Sequence, residues 1–325
     1  MKIPELINFA LLKNASDLHI SPGSPLMLRI SGKLCVADNF QPFNNDTAKN
    51  LIYSILNDKQ IQQFENDLEL DFAIDMPAIA RLRVNVFHQL HGISAVIRII
   101  PEKIPTLDQL QMPALFKQLV QSSNGLILIT GPTGSGKSTT LAALLDYINT
   151  HFSLHIITIE DPIEFVHPNK KCLVTQRQIH YHTHGYHQAL RAALREDPDV
   201  ILIGEMRDPD TIRLALTAAE TGHLVMATLH TSSAPKAINR IIDAFPSGEK
   251  NIIRNLLSDS LQAVIYQTLV PNLAGNRVAA FEIMLATPAI RHLIREDKTA
   301  QMQSAMQTGN SVGMCTMEQY LQTIL

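Results

Sequence analysis

Between Gly125 and Leu229 the apolar residues come in short, unbroken runs, each ending in a polar or glycine-rich corner. Leu126 to Thr130, His155 to Ile159, Val200 to Ile203 and Leu224 to Leu229 predict strands buried on both faces, as in a parallel sheet covered by helices. Stretches between them, such as His187 to Arg195 and Thr211 to Glu220, supply those helices. For the second, Asp208 is an N-cap candidate, Pro209 opens the first turn and Gly222 lies just past the end. Arg277 to Met284 reads as another strand, after which the chain turns helical to its end, with Thr316 and Gln319 as a capping box. This half predicts a doubly wound α/β domain.

The first hundred residues are patterned differently. Ile3 to Leu12 is spaced for a helix, and Pro22, Gly23, Pro25 and Gly32 cut the next stretch into short, strand-like pieces. Thr47 to Phe64 predicts one or two helices. Arg81 to Phe87 alternates like a half-buried strand, with Ile93 to Ile100 as its hairpin partner across a turn at His91-Gly92. Pro101 and Pro105 then stop the pattern. The expected organisation is a mixed α/β domain over 1–100, a linker over 101–113 and the second domain over 114–325.

Composition narrows the functional classes. The chain has 325 residues, 46% hydrophobic and 18% charged, enough for two cores. A net charge of −3, with no basic strand interleaved with aromatics, argues against a nucleic-acid partner. No apolar run approaches the ~20 residues that span a bilayer, and Met1 to Glu5 does not open a signal peptide. A soluble, cytoplasmic chain without membrane insertion is expected. Cys35, Cys172 and Cys315 are scattered and support neither a disulfide framework nor a cysteine zinc site. His180, His182 and His184 form an H-x-H-x-H run with no apparent fourth ligand, so a polar surface loop is the expectation.

The most specific chemistry lies at the end of the first buried strand. Gly131-Pro132-Thr133-Gly134-Ser135-Gly136-Lys137-Ser138 matches the P-loop pattern G-x-x-x-x-G-K-[ST], followed by a helix-forming run from Thr139. Its glycines let backbone N–H groups turn inward around phosphates at a helix N-terminus. Lys137 would meet the β/γ oxygens of ATP, and Ser138 the Mg²⁺; Thr139 completes the candidate nucleotide-binding residues. Hydrolysis also needs carboxylates at neighbouring strand ends. Val200 to Gly204 ends in Glu205, which suits Mg²⁺ or its waters, and His155 to Ile159 runs into Glu160, Asp161 and Glu164, one of which could orient the attacking water. His230, at the end of Leu224 to Leu229, is a candidate γ-phosphate sensor.

Together GPTGSGKS, TIEDPIEF (Thr158 to Phe165), ILIGEMRD (Ile201 to Asp208) and TLHTSSA (Thr228 to Ala234) resemble the motif set of the secretion ATPases of type IV pilus and type II secretion systems. Ala15 to His19 (ASDLH) and Arg240 to Pro246 (RIIDAFP) extend the resemblance over essentially the whole chain. It implies a PAS-like N-terminal domain, a RecA-like ATPase domain with C-terminal helices, and a homohexameric ring hydrolysing ATP with Mg²⁺. By motif position, Glu164 is the water-activating carboxylate and Glu205 the Mg²⁺-side one. Arg83 and Arg98 occupy the positions of an N-terminal arginine pair that reaches a nucleotide.

Within the family, Ala289 to Glu296 (AIRHLIRE) is similar to a signature of the retraction motors, and the long N-terminal extension and tetracysteine element of assembly ATPases are missing. The implied function is a motor for pilus retraction and twitching motility. The implied partners are an inner-membrane platform protein, at which the chain would sit peripherally, and other pilus motor ATPases. A pilus-assembly or type II secretion ATPase is the alternative, and a switch without significant hydrolysis a weaker one. Arg291 and Arg295, one turn apart, are expected to present a charged face outward for coupling hydrolysis to retraction while Ile290, Leu293 and Ile294 dock the helix. Pro271-Asn272-Leu273-Ala274 departs from the basic loop expected of close relatives.

Overall fold

The computed structural model describes residues 2–77, 79–100, 103–272 and 277–324. The chain divides into two units, Met1–Lys103 and Ile104–Leu325. In the first, the order is α1 (Ile3–Leu12), β1 (Ala15–Ile20), β2 (Met27–Ile30), β3 (Lys33–Val36), α2 (Asn45–Tyr53), α3 (Asp58–Asp67), β4 (Glu69–Met76), β5 (Ala80–Gln89) and β6 (Gly92–Ile100). The strands form one antiparallel sheet in the order β3-β2-β1-β6-β5-β4.

Alternation explains why this sheet is two-sided. Leu82, Val84 and Val86 of β5 join Leu18, Ala95 and Ile97 in a core closed by Ile3, Leu6 and Ile7 of α1, Ile52 of α2 and Phe64 of α3. The intervening positions carry charge: Arg81 pairs with Asp75 at 2.6 Å, Arg83 with Asp71 at 2.9 Å and Arg98 with Asp17 at 2.9 Å. The Thr47 to Phe64 region resolves into two helices because Asn57 starts a second one, accepting from the Gln60 N–H while the Gln60 side chain returns to the Asn57 N–H. Pro101, read as the stop of β6, lies outside the described residues.

The second unit contains α4 (Leu115–Leu119), β7 (Gly125–Thr130), α5 (Lys137–His151), β8 (His155–Glu160), β9 (Leu173–Gln178), α6 (Tyr186–Ala193), β10 (Val200–Ile203), α7 (Pro209–Glu220), β11 (Leu224–Leu229), α8 (Ala234–Asp243), α9 (Lys250–Ser260), β12 (Leu261–Pro271), β13 (Arg277–Leu285), α10 (Pro288–Arg295), α11 (Met302–Thr308) and α12 (Met317–Ile324). Strand order is β13-β12-β7-β11-β10-β8-β9, parallel except for the β12–β13 hairpin. Leu126 and Leu128 face one hydrophobic cluster with α6 to α11, whereas Ile127 and Ile129 face another with α4 and α5. Burial on both faces is what the unbroken apolar runs required. Asp208 caps α7 by accepting from the Thr211 N–H at 2.8 Å, and Thr316 and Gln319 bond reciprocally before α12. Residues 104–113 pack with this unit, Leu107 lying in the cluster that holds Phe116.

One expectation is corrected here. Ile290 and Ile294 are buried and Leu293 packs against them, as the spacing required, but Arg291 does not present its charge outward. Its guanidinium turns back to the C-terminus of α9, donating to the carbonyls of Ser258, Asp259 (2.8 Å) and Leu261 (2.8 Å) and, through Nε, to Ala286 at 2.9 Å. Carbonyls at a helix end have no partner within the helix, and a cation there also answers the helix dipole. Arg295 reaches the Ser258 hydroxyl at 3.0 Å and the exposed Asp259 carboxylate at 3.3 Å. Arg291→Ala is therefore expected to cost about 2–3 kcal/mol of stability and Arg295→Ala about 0.5 kcal/mol. Thermal melts of the two single variants check this; equal melting temperatures would refute the clamp. Leu273 and Ala274 of the departing loop lie outside the described residues.

Candidate nucleotide site

The loop between β7 and α5 owes its path to glycine. Gly131, Gly134 and Gly136 have φ of 149°, 77° and 87°, where a Cβ is strained. Lys137, 8% exposed, begins α5 and folds back so that Nζ donates to the carbonyls of Gly131 (2.8 Å) and Pro132 (2.9 Å). Burial lowers its pKa, and the fields of Glu205 and Glu164 oppose that shift. Ser135 Oγ is buried without a hydrogen-bond partner among the described residues. A glycine-turned cradle, a buried ammonium and an unsatisfied hydroxyl fit a polyphosphate.

Neighbouring strand ends converge on this loop. Ser138 shares a cavity of about 50 Å³ with Glu160, Glu164, His167, Gly204 and Thr228. Pro132, Thr133 and His230 line a larger one of about 590 Å³ with Ser232, Lys236 and Tyr266. Thr139 follows Ser138 in the first turn of α5, half-buried. Glu205, after β10, accepts from Arg207 Nε at 2.8 Å and Nη2 at 2.7 Å, and its other oxygen stands 3.5 Å from His230 Nε2. Thr130 Oγ1 accepts from the Thr231 N–H at 2.9 Å, locking the end of β7 to the segment after β11. Ser138 and Glu205, the latter close enough to Lys137 for its field to act there, offer oxygen donors of the kind a hard cation takes.

Glu160 accepts from Thr158 Oγ1 at 2.7 Å and from Gln176 Nε2 at 3.2 Å. Burial nevertheless pushes its carboxyl up from 4.5 to about 7, against those two donors. Without nucleotide, the folded chain keeps a proton that the unfolded chain has released. Stability should therefore fall as pH rises from about 4.5 to about 7 and level off above. Glu160→Gln should remove this slope and gain about 1–2 kcal/mol at pH 8, read from melts across that range; an unchanged slope would refute it. Burial also pushes His167 down to about 4, so at neutral pH this wall of the small cavity is an uncharged imidazole.

Second-unit candidates thus come together, whereas Arg83 and Arg98 meet one another in the first unit. They are direct cross-strand neighbours on β5 and β6. Asp17, inside the ASDLH stretch and 5% exposed at its side chain, accepts from Arg98 Nε. Arg98→Ala leaves that buried carboxylate with the Ser16 hydroxyl at 2.7 Å and Arg29 at 4.0 Å but without a close cation, and should cost about 1–2 kcal/mol, measurable as a lower melting temperature. Residues absent from the sequence expectation also take part: Arg207 grips Glu205, and Thr140 and Gln267 bond each other beneath the P-loop at 2.8 Å. Arg207 was in view inside ILIGEMRD, but nothing in the motif indicates its partner.

The family model described as "Type II/IV secretion system protein" matches residues 2–314. A Pseudomonas aeruginosa protein described as "Type IV pilus retractation ATPase PilT" is 57% identical over 325 residues, covering 100% of this chain and 94% of that one. A Neisseria gonorrhoeae "Twitching motility protein" is 51% identical, covering 92% and 80%. Among solved structures, "Crystal Structure of the Pilus Retraction Motor PilT and Bound ADP" superimposes with a TM-score of 0.90 at 45% identity, over 99% of this chain and 92% of that one. With a RecA-like P-loop domain following an N-terminal domain and a match over nearly its whole length, this chain belongs to the Type II/IV secretion system protein family.

Proposed function

We propose that this chain is an ATP-hydrolysing motor that powers type IV pilus retraction. The observation that carries the chemistry is the convergence of Lys137, Glu164 and Glu205 on one P-loop, with Ser138 and Glu164 on a common cavity. Lys137 compensates the β/γ-phosphate charge of ATP, and the Gly131–Ser138 loop, through the backbone N–H groups of its residues other than Pro132, holds the phosphates together with Thr139. Ser138 and Glu205 would hold Mg²⁺, directly or through water, and the ion would neutralise charge on the phosphate oxygens. Glu164 orients and deprotonates the attacking water, and His230 senses the γ-phosphate. The direction of work, withdrawal rather than assembly, is supported by the 57% identity to the Pseudomonas protein.

Arg83 and Arg98 reach a nucleotide from the first unit when subunits close in a homohexamer, because guanidinium forks onto phosphate oxygens. The ring acts in the cytoplasm against an inner-membrane platform protein, alongside other pilus motor ATPases. Among the described residues, no helix is long and apolar enough to cross a membrane. Specific ATPase activity should rise with protein concentration as rings form, followed by light scattering; full activity in the monomer would refute the ring requirement. A deletion strain scored for twitching and surface pilus number tests the function. Many immobile pili support retraction; their loss indicates an assembly motor.

A further inference from the structure

β12 runs parallel to β7 with Ile265 opposite Ile129 and Tyr266 opposite Thr130, so Gln267 comes level with Gly131 where the P-loop begins. Its side chain is an amide only 2% exposed, and at that depth both ends need partners. Nε2 donates to the Ser135 carbonyl at 2.7 Å, and Oε1 accepts from Thr140 Oγ1 at 2.8 Å. The orientation of the amide is fixed by its partners, since a carbonyl can only accept. One contact lies inside the P-loop and the other on the first turn of α5. A Cβ at Gly131 would stand 2.2 Å from the Gln267 carbonyl oxygen, and one at Gly136 2.9 Å from Nε2. These two glycines therefore admit Gln267 as well as phosphate.

A trans peptide is planar, with its C=O and N–H pointing in opposite directions. Holding the Ser135 carbonyl toward β12 therefore turns the Gly136 N–H to the other side, into the phosphate cradle. We infer that Gln267 is a positioning residue for nucleotide, its side-chain amide fixing the Ser135–Gly136 peptide so that the Gly136 N–H faces the phosphates. The inference rests on the proposed ATP hydrolysis and adds to it a residue from outside every nucleotide motif.

The test uses the full-length protein, with Kd for a fluorescent ATP analogue, kcat and KM for ATP, and melting temperature. Gln267→Leu keeps volume and loses both bonds; Gln267→Glu keeps the acceptor for Thr140 but sets a carboxylate against the Ser135 carbonyl; Thr140→Val keeps the Ser135 bond. The expected order is a rise in Kd and KM of about tenfold or more for Gln267→Leu and Gln267→Glu, and about two- to threefold for Thr140→Val. In all three, kcat at saturation should fall less than KM rises, a split that destabilisation alone does not produce. Wild-type Kd in Gln267→Glu overturns the inference whatever happens to melting, and so does equal weakening by Thr140→Val. Should Gln267→Leu fail to fold, the order of the other two variants decides. A wild-type protein that binds no nucleotide would instead overturn the proposed function, and the inference with it.

Discussion

Lys137→Ala should reduce ATP hydrolysis by at least ~10³-fold while the chain remains folded. The lysine is 8% exposed, so its ammonium acts where water screens little. At about 4 Å and an effective dielectric near 20, one unit of charge on a phosphate oxygen is worth about 4 kcal/mol, which corresponds to roughly 10³ in rate. Neither of its present partners, the Gly131 and Pro132 carbonyls, can supply that charge, and both belong to the loop that wraps the phosphates. Lys137→Arg should not restore activity, because a planar fork does not fit a site built around a point donor. Phosphate release measured beside a thermal melt checks both. Hydrolysis within tenfold of wild type in a folded Lys137→Ala protein would remove the P-loop as the catalytic site.

Patterns with local causes were legible along the chain. β7, β10 and β11 are buried at every position, so their short apolar runs, each ending in a polar or glycine-rich corner, read as buried strands, and the P-loop declares itself because its φ angles demand glycine. β9 escaped notice because Leu173 to Gln178 is an edge strand with mostly polar, half-exposed residues. β12 was hidden for another reason: it follows α9 with no intervening breaker, and its apolar residues could continue a helix.

Partners distant along the chain were not legible. A helical wheel places Arg291 beside Arg295 but cannot show that the C-terminus of α9 lies beneath them. Asp17 and Arg98 are brought together by β1–β6 pairing, and Gln267 meets Ser135 through the register of β12 on β7. In each case the sequence contains the donor and the acceptor, but only sheet topology makes them neighbours. Site residues whose role is to hold another residue are thus harder to find than those that meet the ligand.

The two carboxylates at the site should separate by kinetics. Glu164→Gln keeps size and one acceptor but removes the charge and the basicity needed to take a proton from water, so turnover should fall at least ~10²-fold while nucleotide affinity stays within about tenfold. Surroundings favour Glu164 for this task. It shares the small cavity with Ser138, whereas one oxygen of Glu205 is gripped by Arg207 at 2.7–2.8 Å and the other stands 3.5 Å from His230. Held in this way by Arg207, Glu205 is a fixed carboxylate suited to supplying charge beside Mg²⁺. Glu205→Gln should slow turnover by a comparable factor for another reason, since it removes charge from the Mg²⁺ side and releases Arg207. Magnesium titration distinguishes them: Glu205→Gln should need a higher Mg²⁺ concentration for half-maximal rate, and Glu164→Gln should not. If Glu164→Gln instead loses binding and turnover in equal measure, Glu164 holds substrate and does not activate water.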